Sequence, residues 1–80
     1  MDDKSFDTPI TVTLDGAPRA VASVRAASEM LMSVDWPGAR DDRHAEAVDT
    51  CLKVLDGHRS TEDARAAFSA AAGDAGILGG

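Results

Sequence analysis

The chain has little of what secreted, membrane-spanning or disulfide-bonded proteins contain. Its 80 residues include one cysteine, two histidines and no tyrosine. One cysteine cannot form a disulfide within the chain, so nothing indicates an oxidising compartment. No apolar run approaches the roughly 20 residues of a membrane helix, and the first residues lack the basic-then-apolar order of a signal peptide. We therefore expect a cytoplasmic protein.

Positive charge is also scarce. The 8 Lys and Arg residues stand against 14 Asp and Glu residues, which gives a formal net charge of −6 and a pI near 4.5. The basic residues are scattered from Lys4 to Arg65 and form no long run. Nucleic-acid backbones and anionic membranes attract basic surfaces. We therefore expect neither nucleic acid nor a membrane as a partner.

The N-terminal part has the alternation of a β-hairpin. Over residues 8–15 apolar side chains alternate with threonines, and the turn signal Asp15-Gly16 leads to a short second strand at residues 19–22. A two-stranded hairpin is marginal alone, so its apolar face must pack on helices. The alternating residues are Ile10, Val12 and Leu14 on the apolar face and Thr11 and Thr13 on the other.

Three helices are predicted after the hairpin. Ser23 is the expected N-cap of the first helix, which ends at residue 35 or 36 because Pro37 disfavours helical geometry in the residue before it. The second helix covers residues 41–56. The third begins at Ser60 and ends near Gly76, because serine suits an N-cap and glycine the position after a helix.

Each helix has an apolar stripe that we expect to form the core. The fold class is then α+β, with an N-terminal two-stranded antiparallel β-hairpin packed against three α-helices (ββααα). We expect residues 1–80 to form one small domain, with residues 1–7 and 78–80 frayed. The stripes are Val24, Ala27, Leu31 and Val34 in the first helix, His44, Ala47, Val48, Cys51, Leu52 and Leu55 in the second, and Ala64, Ala67, Phe68, Ala71 and Ala72 in the third.

The residue types most often found in catalytic and metal sites, cysteine and histidine, are also explained here by packing. Cys51 and His44 are seven residues apart, too far for direct contact along one helix. A metal site would need more ligands, and His58 is the only other histidine. We interpret Cys51 as a buried, inert thiol and His44 as a partly buried side chain. The carboxylates favour solvated helix faces and helix starts. We therefore predict no catalytic residue, no metal and no cofactor.

Trp36 is the only tryptophan and directly precedes Pro37. Tryptophan is favoured both in cores and as an anchor at interfaces. Few other side chains in this alanine-rich chain are large enough to fill the centre of the molecule, so we expect Trp36 in the core. An interface role is the alternative.

Several short motifs follow one another in a fixed order. Together they resemble the domain of unknown function 982 family, small proteins of alphaproteobacteria, over almost the whole chain. The resemblance implies a small standalone bacterial cytoplasmic protein with the ββααα fold, and it implies no reaction, cofactor or catalytic residue. The motifs are Phe6-x-x-Pro9-Ile10-x-Val12, Trp36-Pro37, His44-x-x-Ala47-x-x-x-Cys51, Gly57, Ala64-Arg65-x-x-Phe68-x-x-Ala71 and Ala75-Gly76-Ile77.

The sequence leaves three functions open. The first is a non-enzymatic domain that acts through protein contacts or self-association, including a homodimer, with a hairpin edge accepting a strand. The second is a small-ligand-binding regulatory protein with a site near Trp36, His44 and Arg19. The third, ranked last, is an enzyme with His44 as acid or base. The expected interaction surface comprises Thr11, Thr13, Arg19, Trp36 and His44.

Overall fold

The computed structural model describes residues 4–79. The two strands pair antiparallel and the three helices follow, so the ββααα arrangement and the α+β class are confirmed. Helix α1 packs on β2 and helix α3 packs on β1, while α2 contacts both of the other helices. The elements are β1 (Ser5–Leu14), β2 (Ala17–Ser23), α1 (Val24–Met32), α2 (Asp42–Leu55) and α3 (Thr61–Asp74).

The hairpin turn forms where the sequence predicts it. Asp15 and Gly16 both have positive φ, 53° and 78°, as a two-residue type I′ turn requires. Leu14 pairs with Ala17 across the turn. From this closing pair the alternation of an antiparallel ladder fixes which backbone groups point between the strands and which point outward.

Both predicted N-caps form, and the structure adds a third at Asp41. The side chain of Ser23 accepts a hydrogen bond from the Ala26 N–H at 3.1 Å, and Ser60 does the same for Asp63 at 3.3 Å. Asp41 caps α2 by accepting from the His44 N–H at 3.2 Å. These bonds satisfy N–H groups that have no partner inside the helix, which explains why each helix begins where it does.

Helix α1 is shorter than predicted. It ends at Met32, and Ser33 is extended with its hydroxyl accepting from the Asp35 N–H at 3.1 Å. A serine that bonds to the local backbone competes with the helix, so the helix stops before the influence of Pro37. Val34 consequently lies outside the helix and is 92% exposed. The prediction that Val34 is buried is wrong.

Helix α2 buries a slightly different face from the one predicted. Leu52 is 45% exposed, so the prediction that it belongs to the core is wrong. Val48 and Leu55 are half-buried and lie at the margin of the core. The residues of α2 that are buried against α1 and α3 lie three and four positions apart, one position away from the predicted stripe. The buried residues of α2 are Ala47, Thr50, Cys51 and Val54.

The fraying predicted at residues 5–7 and 78–79 is wrong. Residues 5–7 belong to β1, and Phe6 is buried because its ring packs in the hydrophobic core. At the other end, Leu78 forms an antiparallel bridge with Val12. Residues 1–3 and 80, where fraying was also expected, lie outside the described residues. Within residues 4–79 no helix is long and apolar enough to cross a membrane.

Candidate interaction surface

The outer edge of β1 is closed by the chain itself. The Thr13 N–H donates to the Ile77 carbonyl at 2.7 Å, and the Gly79 N–H donates to the Thr11 carbonyl at 2.8 Å. The segment after α3 thus adds a short third strand-like stretch beside β1. The side chains of Thr11 and Thr13 are exposed. The sequence left open which hairpin edge is free, and the outward backbone groups of these two residues are already hydrogen-bonded.

The helix end positions this closing segment. Gly76 has φ +75°, and its N–H donates to the Gly73 carbonyl while the Ile77 N–H donates to the Ala72 carbonyl. These two bonds form a Schellman motif, which reverses the chain after a helix. The reversal buries Ile77 in the core and directs the next residues along β1.

The outer edge of β2 is open. The pairing of Leu14 with Ala17 and of Val12 with Arg19 turns their backbone groups inward, so those of Pro18, Ala20 and Ala22 point away from β1. No backbone group from elsewhere in residues 4–79 hydrogen-bonds to these outward groups. We call Pro18, Ala20 and Ala22 the open β2 edge. Their side chains are small and exposed, so another strand can approach.

Arg19 lines a groove beside this edge. The groove has a volume of about 300 Å³ and lies between the hairpin tip and α1. Arg19 pairs with Val12, a core residue, so it is on the helix-facing side of the sheet. We call this the hairpin–α1 groove. It is lined by Leu14, Asp15, Arg19, Ala26, Glu29, Met30, Ser33 and Asp35.

Trp36 and His44 contact each other inside the molecule. Trp36 is 6% exposed, and its ring lies 5.8 Å from that of His44 and 6.2 Å from that of Phe68, centroid to centroid. The core position expected for Trp36 is confirmed, and its placement on the interaction surface is wrong. Neither ring lines the hairpin–α1 groove, so this groove does not join them to Arg19.

His44 ties two helices together. Its Nε2 lies 2.6 Å from the carbonyl oxygen of Leu31 in the last turn of α1. Because a carbonyl only accepts, Nε2 carries the hydrogen and donates it. The Arg40 guanidinium adds bonds to the carbonyls of Leu31 and Ser33. His44 and Arg40 together thus satisfy carbonyls at the end of α1 that have no partner inside the helix, and nothing in this geometry presents His44 to a substrate.

A second groove, of about 330 Å³, lies between α2 and α3. Half of its eight lining residues are charged. Arg59 donates to Asp63 at 3.0 Å, and this hydrogen bond lowers the pKa of the Asp63 carboxyl below its usual value. The groove carries both signs of charge, so it favours no ligand charge. Its charged residues are Arg43, Glu46, Arg59 and Asp63.

Cys51 is a buried free thiol. Burial raises its pKa to about 11, because an apolar environment disfavours the charged thiolate. A thiol in this state is a poor nucleophile. Within residues 4–79 no three side chains of the metal-ligating types are grouped together.

Comparisons with known proteins place this fold among relatives. The sequence profile of a protein family of unknown function, DUF982, matches residues 8–79. The chain belongs to the DUF982 family. The NMR structure of an Agrobacterium tumefaciens protein, a structural genomics target, is 35% identical with a TM-score of 0.81, covering 99% of this chain and 79% of that chain. A search of curated proteins finds no match.

Two structural features of this DUF982 protein were not predicted from its sequence. The closing of the β1 edge depends on Gly79, which shows no strand pattern. Arg40 lies between helices in a segment without periodicity. Gly76-Ile77, a glycine followed by an apolar residue just after a helix, signals that the chain reverses there, but not that it pairs with β1. For Arg40 the sequence offers no signal, because its bonds to Leu31 and Ser33 depend on how α1 and α2 pack.

Proposed function

We propose that this DUF982 chain is a non-enzymatic protein-binding domain that accepts an extended segment of another protein along the open β2 edge. The proposal rests on the difference in hydrogen bonding between the two edges of the hairpin. The β1 edge is hydrogen-bonded to residues 77–79, whereas the outward groups of Ala20 and Ala22 have no such partner within the described chain. An exposed strand edge is a template for strand addition.

The shape of β2 supports strand addition. Ala20 and Ala22 carry the smallest chiral side chains, so a second backbone can lie at the usual strand spacing of about 4.8 Å without displacing them. Pro18 lacks an N–H and limits pairing at the hairpin tip. The contact therefore uses the half of β2 nearer to α1. We place this function in the cytoplasm, which the free thiol of Cys51 supports.

The small-ligand alternative receives less support at its expected position. Trp36 and His44 fill space between α1, α2 and α3, and neither lines either groove. An enzyme with His44 as acid or base receives less still, because the Nε2 hydrogen is committed to the Leu31 carbonyl. Both remain proposals of lower rank.

The test removes one outward N–H from the open β2 edge. Ala20→Pro deletes that donor, and Ala20→Val keeps it while adding a side chain suited to strands. Tagged wild-type and variant proteins are used for affinity capture from native cell extract. We expect one stoichiometric partner to copurify with wild type and Ala20→Val and to be lost with Ala20→Pro. Circular dichroism checks that both variants are folded.

Amide hydrogen exchange supplies a measurement that does not depend on proline. In wild-type protein, we expect the Ala20 and Ala22 amides to gain protection when the purified partner binds, while the Thr13 amide, already bonded to Ile77, changes little. Equal capture by Ala20→Pro, or protection that appears elsewhere on the surface, would show that the β2 edge is not the binding site.

A further inference from the structure

We propose that the segment accepted by β2 is basic, with a lysine or arginine side chain that enters the hairpin–α1 groove. This inference rests on the proposed function and adds the chemistry of the partner. It follows from the position of the groove relative to the open β2 edge and from the charges on its rim.

The groove lies where an added strand would place its side chains. Arg19 belongs to β2 and faces the helices, and the opposite wall of the groove is α1. Side chains of a strand alternate between the two faces of a sheet. In a segment paired with β2, every second side chain therefore points to the helix side, beyond Arg19 and against the exposed flank of α1.

The groove suits a long side chain with a cationic end. Ala26 and Met30 are partly buried and offer an apolar floor. Its rim carries three carboxylates, Asp15, Glu29 and Asp35, against the one cation Arg19. No ion pair within residues 4–79 joins these carboxylates to a cation. The methylene groups of lysine or arginine would cover Met30 while the charged end reaches the rim.

A second copy of this chain fits the same edge less well. Each copy carries a formal net charge of −6, and pairing β2 with β2 would bring two acidic grooves to one interface. Like charges placed together disfavour association. The observations therefore favour a separate basic partner, and a homodimer is an outcome that the test must detect.

The probes are three synthetic ten-residue peptides in which threonine alternates with lysine, glutamine or glutamate. Binding to the full-length protein is followed by two-dimensional NMR and by fluorescence anisotropy. We expect the lysine peptide to bind at least tenfold more tightly than the glutamine peptide, and the glutamate peptide not to bind. Backbone signals of Ala20, Ala22 and Met30 should shift together, because the edge and the groove are occupied at once.

Two sets of variants separate the groove from general attraction to an acidic protein. Glu29→Gln combined with Asp35→Asn should reduce the lysine peptide's affinity about tenfold, towards that of the glutamine peptide. Glu46→Gln, which removes one charge from the other groove, should have little effect. Ala20→Pro should abolish binding of all peptides, with Ala20→Val as the folded control.

The outcomes separate this inference from the function on which it rests. Equal affinity for the lysine and glutamine peptides, no peptide binding, or shifts confined to the groove would overturn the basic-segment inference. So would a captured partner that is sensitive to Ala20→Pro but contributes no basic residue, and in that case the protein-binding function stands. A homodimer in sedimentation experiments that Ala20→Pro dissociates and the lysine peptide does not would also overturn it.

Discussion

At the scale of single residues, the side chains whose types are common in active sites have packing roles in this fold. His44 donates to the last turn of α1, Trp36 lies between His44 and Phe68, and Cys51 is buried in α2. Helical spacing sufficed to predict a packing role for Cys51. It could not predict the bond from His44 to Leu31, because two helices separated by a connector must first dock.

Removing the His44 imidazole should therefore lower stability. His44→Ala leaves the Leu31 carbonyl with only the longer Arg40 bond of 3.3 Å and removes a ring that packs on Trp36. We expect the free energy of unfolding in urea to fall by about 1–3 kcal/mol. His58→Ala is the matched control, because His58 is exposed. Equal effects of the two variants would contradict a structural role for His44.

The Cys51 thiol should make the free energy of unfolding fall at alkaline pH. Its pKa is raised to about 11 in the folded protein from an ordinary value of 9.0. The folded state therefore keeps the proton where the unfolded state loses it. This contribution to stability is complete below pH 9 and is lost between pH 9 and 11, at about 1.4 kcal/mol per pH unit.

The measurement compares wild type with Cys51→Ala in urea at several pH values. Lysines also titrate in this range, so the difference between the two proteins isolates the thiol. We expect the wild type to lose stability more steeply from pH 9 to 11, while iodoacetamide leaves the folded thiol unmodified at pH 7. Parallel pH profiles would show that Cys51 is not desolvated to this extent.

At the scale of elements, caps were more predictable than buried faces. Ser23 and Ser60 were recognised from local sequence because a cap needs only the next turn of the helix. The face of α2 was displaced, with Leu52 exposed and Val54 buried, because neighbouring apolar residues fit more than one stripe. Packing against α1 and α3 decides between them.

Two glycines in one helix end should respond to alanine in opposite ways. Gly76 has φ +75° and no atom close to a new Cβ, so alanine there meets backbone strain alone and weakens the Schellman motif. Gly73 is within α3, and its new Cβ would meet Leu78 at 4.0 Å. We expect Gly76→Ala to lower the free energy of unfolding by about 1 kcal/mol and Gly73→Ala to raise it by about 0.5–1 kcal/mol.

Urea denaturation of both variants beside wild type measures these changes. The pair serves as its own control, because the substitutions are identical and three residues apart. A loss of stability in Gly73→Ala similar to that in Gly76→Ala would mean that the last turn of α3 is not helical at Gly73.

At the scale of the whole molecule, the described residues 4–79 cover the β1 edge of the sheet and leave the β2 edge without a backbone partner among themselves. The residues that close β1 are more than 60 positions away in sequence from the strand they cover. No local pattern predicts such a pairing, so the sequence could indicate that a hairpin edge matters but not which edge is free. The open β2 edge is a property of the assembled fold, as is the groove beside it.

Deleting residues 77–80 should expose the β1 edge as well. The deletion removes the bonds to the Thr11 and Thr13 backbone and the buried Ile77 side chain. We expect reduced stability and concentration-dependent association in sedimentation velocity, because the chain then carries two free edges.

Ile77→Ala separates the two effects of that deletion. It loses the buried side chain, at a cost of about 2–5 kcal/mol, but keeps the backbone that closes β1. We expect it to be less stable than wild type and still monomeric wherever it is folded. The association of the truncated chain should disappear in a Thr13→Pro background, since proline removes the outward N–H that bonds to Ile77 in the wild type. A truncated chain that stays folded and monomeric at high concentration would show that residues 77–79 contribute packing without protecting the edge.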